Sequence, residues 1–228
     1  MFHRHAAGRY IGDFVYGASD GIVTTFAVVA GATGASLVPS IVVILGLANI
    51  FADGVSMGAG NFLGARSEKA YAKAQRQKEN WEIDHLPELE IDEIREIYRK
   101  KGFVGKDLER AVKIITGDRQ IWVETMMRDE LGIIEDANDD PKKHALATFA
   151  AFFVAGFIPL FSYLTPAITD KFMFSMIVGA ATLFIVGSLR SLITAVGWFR
   201  GGMEMLLVGS GAALIAYVVG DFVEKLVS

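Results

Sequence analysis

Residues Tyr16–Phe26 read YGASDGIVTTF, and they place a carboxylate, Asp20, in a stretch that otherwise suits lipid. Between Ile11 and Ala35 there is no lysine or arginine, and the only acids are Asp13 and Asp20. A carboxylate deep in a membrane span costs at least about 2.5–3.5 kcal/mol on insertion scales. Such residues usually mark the path of an ion or a proton, so this stretch predicts both a membrane helix and a role for its acid.

The composition divides the chain into two apolar flanks and a charged middle. Of its 228 residues 52% are hydrophobic and 21% are charged, and the mean hydropathy is +0.39. Between Ala65 and His144 lie 16 of the 22 lysines and arginines and 19 of the 26 acids. This pattern favours a membrane protein with a sizeable soluble part. A net charge of −4 gives no basic surface for nucleic acid, and the lack of cysteine excludes disulfides and thiolate metal sites.

Five apolar stretches reach the length of about 20 residues that crosses a bilayer. All five are predicted to be helices, because a lone strand cannot satisfy its backbone in hydrocarbon. The predicted fold class is an all-α integral membrane protein with five transmembrane helices and an inserted cytoplasmic helical domain. Residues 1–64 hold transmembrane helices 1 and 2, residues 65–141 the inserted domain, and residues 142–228 transmembrane helices 3 to 5. The predicted spans are Gly12–Ala35, Ser40–Gly64, Ala145–Leu164, Phe172–Leu189 and Met203–Gly220.

Lysine and arginine flank these spans unevenly, and this predicts the orientation. An inside N-terminus puts most of them on the cytoplasmic side: Arg4, Arg9, the charged middle, Arg190 and Arg200. The opposite faces then hold only Lys171 and Lys225, and five spans leave the C-terminus outside. The long apolar run after MFHRHAAGRY is interrupted by acids, which favours a retained helix over a signal peptide.

The charged middle has the periodicity of helices. The second span continues through ARSEKAYAKAQRQKENWEID without a glycine or proline, and this predicts one long helix that ends at Pro87. The segments ELEIDEIREIYRKKG, KDLERAVKIITGD and RQIWVETMMRDELGI predict three further helices. A small core is expected from the apolar positions Leu108, Val112, Ile115, Trp122 and Leu131.

Polar and small residues share helix faces in the first two spans. Asp13 and Asp20 are seven residues apart, and Gly17 and Gly21 beside them allow another helix to approach closely. The second span carries a polar stripe that recurs about every four residues, at Asn49, Asp53, Met57 and Asn61. Its close-packing surface consists of Gly54, Gly58, Gly60 and Gly64. Two structural alternatives stay open: Asp13 lies in the membrane interface, or Asp53 is a hydrogen-bonded packing carboxylate.

Carboxylates also recur at helical spacing in the charged middle, where residues three or four apart can converge on one cation. The group comprises Glu79, Glu82, Glu90, Glu93, Met126, Met127 and Glu130. A solvated helix face is the alternative for each glutamate pair, since glutamate is a good surface helix former. Two adjacent methionines are not expected both to face a core and both be idle. His3 and His5 offer at most loose metal binding, and His85 and His144 are read as isolated.

Carboxylates combined with thioethers predict the kind of metal. Hard divalent cations prefer oxygen ligands, while a thioether favours softer, later metals. A mixed site of this kind favours Fe²⁺, with Mn²⁺, Co²⁺ or Zn²⁺ as competitors, over Mg²⁺ or Ca²⁺. The metal is expected as a bound and transported ion, and no cofactor is predicted.

Three segments together resemble the vacuolar iron transporter family. YGASDGIVTTFAVVAGATGAS resembles its first-helix signature, ADGVSMGAGNFLGARSE its second, and MMRDELG the end of its cytoplasmic metal-binding domain. The resemblance covers essentially the whole chain and needs no gaps between Asp20 and Glu130. It implies export of Fe²⁺, and often of Mn²⁺, from the cytosol in exchange for protons. It also implies a homodimer with the ion path between its subunits.

Carried over residue by residue, the resemblance implies that Asp20 and Met57 are transmembrane metal ligands and that Asp13 is an acid farther along the path. It makes the seven glutamates and methionines of the charged middle the cytoplasmic metal site. The chain departs from the plant-like pattern twice, with Thr25 in place of a proline and Asn49 in place of a glutamate. Asp53, one turn beyond Asn49, is our hypothesis for the missing charge.

The prediction from the sequence is therefore a divalent-metal transporter and not an enzyme, with lipid, metal ions, protons and a second copy as partners. A membrane ferroxidase is one alternative, although the Glu-x-x-His pairs of di-iron carboxylate sites do not occur at the key glutamates. A metal-sensing membrane protein without flux is the other. A short chain without a targeting extension favours a prokaryotic plasma membrane over a vacuole.

Overall fold

The structure is a computed structural model that describes residues 4–136, 139–192 and 194–227, without the side chains of residues 4–9 and 192. His3 and the side chains of Arg4, His5 and Arg9 therefore lie outside what is described. The described residues form α-helices, one π-helix and one 3-10 helix, and none of them is in a strand. Five of the helices are long and apolar enough to cross a membrane. The predicted all-α integral membrane fold with five spanning helices is confirmed.

The helices form two compact units. The membrane unit consists of Met1–Leu63 with Asp140–Ser228, and the helical insert consists of Gly64–Asp139. The α-helices are α1 Arg4–Gly34, α2 Pro39–His85, α3 Pro87–Lys100, α4 Gly105–Thr116, α5 Arg119–Thr125, α6 Pro141–Leu164, α7 Lys171–Leu189 and α8 Trp198–Val227. A π-helix, Met126–Glu130, follows α5, and a 3-10 helix, Arg190–Leu192, follows α7.

Helix α2 is the long helix that the sequence predicts, and its residues contribute to both units. Its 47 residues correspond to about 70 Å at 1.5 Å per residue, more than twice the thickness of a bilayer core. Pro87 starts the next helix at its first position, where the missing N–H is not needed. Asp118 caps α5 by accepting from the backbone N–H of Gln120 and Ile121 at 2.9 and 3.1 Å.

Glycines set the closest helix contacts of the membrane unit. A Cβ at Gly17 or Gly21 would stand 2.4 or 2.3 Å from a backbone carbonyl oxygen of α6, so only glycine fits there. This confirms the close approach predicted for the first span. Gly54 and Gly58 also face side chains and backbone of α6 at 3.2–3.4 Å. Gly60 and Gly64 do not follow that prediction, since no described atom lies within 4 Å of a Cβ built on either.

Helix α8 turns a broad apolar face outward. Leu207, Ile215 and Val218 are exposed by 67%, 67% and 56%. In a water-soluble protein a continuous apolar face of this kind would favour aggregation, whereas in a bilayer it contacts lipid. This exposure agrees with the spanning length of the helix.

The helical insert has its own apolar core, as the sequence predicts. Leu108, Val112, Ile115 and Trp122 are buried in it together with Ile94, and Leu131 packs against it. One expectation needs a correction. The fourth predicted helix of the insert does not continue as a regular α-helix, because Met126–Glu130 widens into a π-helix.

Candidate metal sites

Five glutamates of the helical insert form a carboxylate cluster built by three helical segments. Glu79 and Glu82 lie near the end of α2, Glu90 and Glu93 in α3, and Glu130 in the π-helix. The charge of Glu90 interacts with those of the other four, and the charge of Glu79 with those of Glu82, Glu93 and Glu130. The structure thus brings together the carboxylates singled out by helical spacing, and their role as ligands stays a prediction.

Glu79 and Glu90 are the buried members of the cluster, with 2% and 4% of their surface exposed. Burial, followed by the charges of Glu130 and Glu82, raises the pKa of Glu79 to about 7. Burial and the charge of Glu93 likewise raise the pKa of Glu90 to about 7. Burial also raises the pKa of Glu130, with Glu93 as the next cause. At neutral pH Glu79 and Glu90 therefore keep a substantial share of protons unless a cation takes their place.

Each of the two buried glutamates has an oxygen without a partner. Oε2 of Glu79 and Oε2 of Glu90 are buried and accept no hydrogen bond from the described residues. Leaving such an atom unsatisfied costs about 1–3 kcal/mol, so buried polar atoms of this kind need an explanation. Among the described residues, no three histidine, aspartate or glutamate side chains are arranged so that they could hold a metal ion. The cluster supplies charge and free oxygen atoms rather than a closed coordination shell.

The two methionines of the candidate site lie inside the core of the insert. Met126 is fully buried and Met127 is 2% exposed, and both belong to its apolar cluster. Both adjacent methionines therefore face the core, and the expectation that they are not both idle stays a prediction. Both share the π-helix with Glu130, and π-helical turns occur often at functional sites. Whether their sulfur atoms also serve the metal stays a prediction.

The polar stripe of α2 meets the acid of α1 in the membrane unit. Asn49 Nδ2 donates to Asp53 Oδ2 at 2.5 Å, while Asn49 Oδ1 is buried without a partner among the described residues. The charge of Asp53 interacts with that of Asp20 on the first span. Met57 lies one turn beyond Asp53, half-buried like Asp20 and Asn49. The pairing of Asp20 with Met57 stays a prediction.

Thr25 stands at the position where the plant-like pattern has a proline. Helix α1 runs unbroken from Arg4 to Gly34, so it carries the threonine without ending there. Thr25 is fully buried, and its Oγ1 has no hydrogen-bond partner among the described residues.

Asp13 differs from these acids, because both of its oxygens are engaged. Oδ1 accepts from Asn61 Nδ2 at 2.8 Å, and Oδ2 lies 2.5 Å from Nδ1 of His144. Asn61 Nδ2 also lies 2.6 Å from Thr148 Oγ1, and the ring of Tyr10 lies 4.8 Å from that of His144. We call these four residues, Asp13, Asn61, His144 and Thr148, the Asp13 clasp. It joins α1, α2 and α6 within the membrane unit.

The reading of His144 as isolated is wrong. It stands in the first turn of α6, more than 130 residues after Asp13, and no local pattern links the two. The available signal was indirect: Gly17 and Gly21 predict that some helix approaches α1, but they do not identify the helix. The contacts of Gly17 with the backbone of Thr148 and of Gly21 with that of Phe152 show that α6 is that helix and set the register that places His144 beside Asp13.

Comparisons with known proteins identify relatives along almost the whole chain. The model of the VIT family matches residues 11–221. A protein of Toxoplasma gondii named vacuolar iron transporter is 34% identical over 235 residues, which cover 99% of this chain and 78% of the relative. Vacuolar iron transporter 1 of Arabidopsis thaliana is 32% identical over 222 residues, which cover 96% of this chain and 88% of the relative. The resemblance found in the sequence is confirmed, and this chain belongs to the VIT family.

Proposed function

We propose that this protein is a secondary transporter that carries Fe²⁺, with Mn²⁺ as a second cargo, out of the cytosol in exchange for protons. The observation that carries the proposal is the pair of buried glutamates, Glu79 and Glu90, whose free oxygens lie among like charges. A divalent cation would satisfy those atoms and remove the repulsion between the carboxylates. The names of the two relatives, both vacuolar iron transporters, support iron as the cargo.

The donor set supports a transition metal over Mg²⁺ or Ca²⁺. Glutamate oxygens bind hard divalent ions, and thioether sulfur adds preference for Fe²⁺ and its neighbours in the series. Met126 and Met127 lie on the same π-helix as Glu130, which is where they would contribute. Zn²⁺ and Co²⁺ are the competing ions that this set would also accept. In this proposal the insert captures metal on the cytoplasmic side of the membrane.

Within the membrane we propose that the ion passes between Asp20 and Met57, with Asp53 and Asn49 beside them. These residues are only half-buried in a single chain, which supports a path shared by two copies in a homodimer. On α2, which carries Met57, the large apolar side chains of Phe51 and Val55 are exposed by 53% and 58%. A second copy would cover this surface.

Proton exchange follows from the chemistry of the carboxylates. A carboxylate can hold a proton or a metal ion but hardly both, so protonation from the far side would release the metal. We propose an orientation with the N-terminus and the insert in the cytoplasm, supported by the lysine and arginine distribution.

Flux measured in proteoliposomes tests this function. Purified protein in vesicles with an imposed pH gradient should accumulate Fe²⁺ or Mn²⁺, and Asp20→Ala should reduce uptake to the level of empty vesicles. Uptake that does not depend on the pH gradient would refute the proposed proton antiport but not the proposed metal transport. Oxygen consumption on addition of Fe²⁺, without flux, would instead indicate a ferroxidase. Metal binding with neither flux nor oxygen consumption would indicate a sensor.

The role of Asp53 has a separate test. Asn49 stands where the plant-like pattern has a glutamate, and Asp53 is our hypothesis for the residue that supplies the missing charge. If Asp53 replaces the glutamate of the plant-like pattern, Asp53→Ala reduces flux strongly. Asn49→Ala should then reduce it less, by removing the amide that donates to Asp53. Unchanged transport by Asp53→Ala would exclude Asp53 from the path and make it a packing residue.

A further inference from the structure

A lysine stands at the edge of the carboxylate cluster. Lys78 Nζ lies 3.1 Å from Oε2 of Glu82, one turn away on α2. Its positive charge also interacts with Glu79 and Glu130, where it opposes the repulsion from the other acids. One ammonium group therefore offsets part of the negative charge of three of the five glutamates.

The lysine is exposed, whereas the acids it faces are largely buried. The side chain of Lys78 is 60% exposed, while that of Glu82 is 21% exposed and Glu79 is buried. Its four-carbon stem is flexible, so the ammonium can move away from Glu82 into water and stay hydrated there. Glu79 and Glu90 have no such alternative, because they are buried with oxygens already lacking partners.

We propose that Lys78 is a tethered counter-cation that occupies the carboxylate cluster when metal is absent and withdraws from Glu82 when a divalent cation binds. This inference rests on the proposed function of the cluster as a metal site. A metal ion and an ammonium group repel one another, and both need the oxygens of Glu82. Lys78 therefore competes with the cargo and sets its affinity, so that the site holds metal weakly enough to pass it on.

A calorimetric titration of the purified full-length protein with Mn²⁺ tests whether Lys78 and the metal compete for the cluster. Lys78→Gln should bind Mn²⁺ about two- to fivefold more tightly than the wild type, as expected for losing one partly exposed charge interaction. Lys78→Arg keeps the charge and should bind like the wild type. Lys73→Gln is the matched control, because Lys73 is an exposed lysine on the same helix five residues earlier. It should leave the affinity unchanged.

The direction of the effect separates this role from a structural one. If Lys78 only stabilised the insert, Lys78→Gln would bind Mn²⁺ equally well or more weakly, and that result would overturn the proposal. Lys78→Met serves as a second neutral variant if Lys78→Gln does not give folded protein. A wild type that binds no Mn²⁺ would refute the metal site itself. Wild-type binding that Glu79→Gln abolishes, with Lys78→Gln unchanged, would refute only the counter-cation.

Discussion

The Asp13 clasp and the carboxylate cluster place the same chemical group in opposite circumstances. Asp13 is 17% exposed, and each of its oxygens has a donor, one from Asn61 and one from His144. Glu79 and Glu90 are more deeply buried, and each has an oxygen without any donor among the described residues. The neighbours of Asp13 are an amide and an imidazole, whereas those of the glutamates are other carboxylates.

The difference indicates which acids are free to bind a cation. A carboxylate that already accepts hydrogen bonds from fixed donors must break them to ligate a metal, while an unsatisfied one gains by ligation. On this basis we assign Asp13 a positioning role between α1, α2 and α6, and we keep Glu79 and Glu90 as the primary ligands of the insert. The sequence placed Asp13 on the ion path, and the experiments below decide between the two roles.

The largest expected effect is on metal binding by the insert. Glu79→Gln combined with Glu90→Gln removes the two buried charges but retains the shape of both side chains. We expect Mn²⁺ affinity of the full-length protein to fall by about a hundredfold or more, because removing even an outer-shell partner of a ligand typically costs 10- to 100-fold. Calorimetric titration measures this effect. Asp13→Asn, the control from the other region, should leave the affinity of the insert unchanged.

The next effect is on the stability of the membrane unit. Asp13→Ala removes one acceptor of Asn61 Nδ2 and the partner of His144 Nδ1 in the clasp, and losing a buried hydrogen-bond partner costs about 1–3 kcal/mol. We expect a loss of about 2 kcal/mol, measured by unfolding in detergent. Asp221→Ala is the matched control, since this acid pairs with Lys225 one turn away at the surface of α8 and no other partner is seen among the described residues. Its loss should be under about 0.5 kcal/mol.

Much of this fold follows from the sequence, because its signals are local. The spans follow from apolar runs of bilayer length. The C-terminal end of α2 and the start of α3 follow from Pro87. The glutamates of the cluster could be selected because Glu79 and Glu82, like Glu90 and Glu93, are three apart on one helix. The helical spacing of apolar residues such as Val112 and Trp122 also predicts the core of the insert.

What the sequence did not reveal depends on distance or on an irregular turn. His144 meets Asp13 only through the register between α1 and α6, and a single sequence contains no information on that register. The sequence did not predict the π-helix, because helical periodicity assumes an α-helix. The π-helix changes which side chains share a face, so Met126 and Met127 both enter the core.

An effect of similar size is expected from pH, and its sign follows from the raised pKa values of the buried glutamates. Folding raises the pKa of Glu79 and Glu90 from the ordinary 4.5 to about 7. Between these values the folded state binds more protons than the unfolded state, so stability falls as pH rises. We expect the metal-free insert to lose about 2 kcal/mol between pH 5.5 and 8, which is the amount that one such shift gives over this range. Hydrogen exchange of the amides of α3 measures it.

Metal should reverse that trend, because a bound cation favours the ionised carboxylates that high pH produces. With saturating Mn²⁺ the protection of α3 should increase most at pH 8 and least at pH 5.5. The double variant Glu79→Gln with Glu90→Gln should show neither the pH dependence nor the response to Mn²⁺. A variant that kept the full pH dependence would show that other groups of the insert control it.

The smallest effect separates the two donors of the Asp13 clasp by their chemistry. His144→Asn retains an N–H close to the position of Nδ1 but loses the ring that packs 4.8 Å from Tyr10, whereas His144→Ala loses both. If Asp13 needs only a donor, His144→Asn should cost about 0.5 kcal/mol in detergent unfolding and His144→Ala about 1–1.5 kcal/mol. Flux by His144→Asn should then equal that of the wild type at every pH. Equal damage by both variants would mean that the imidazole itself is required, and Asp13 would return to the ion path as one half of a proton-carrying pair.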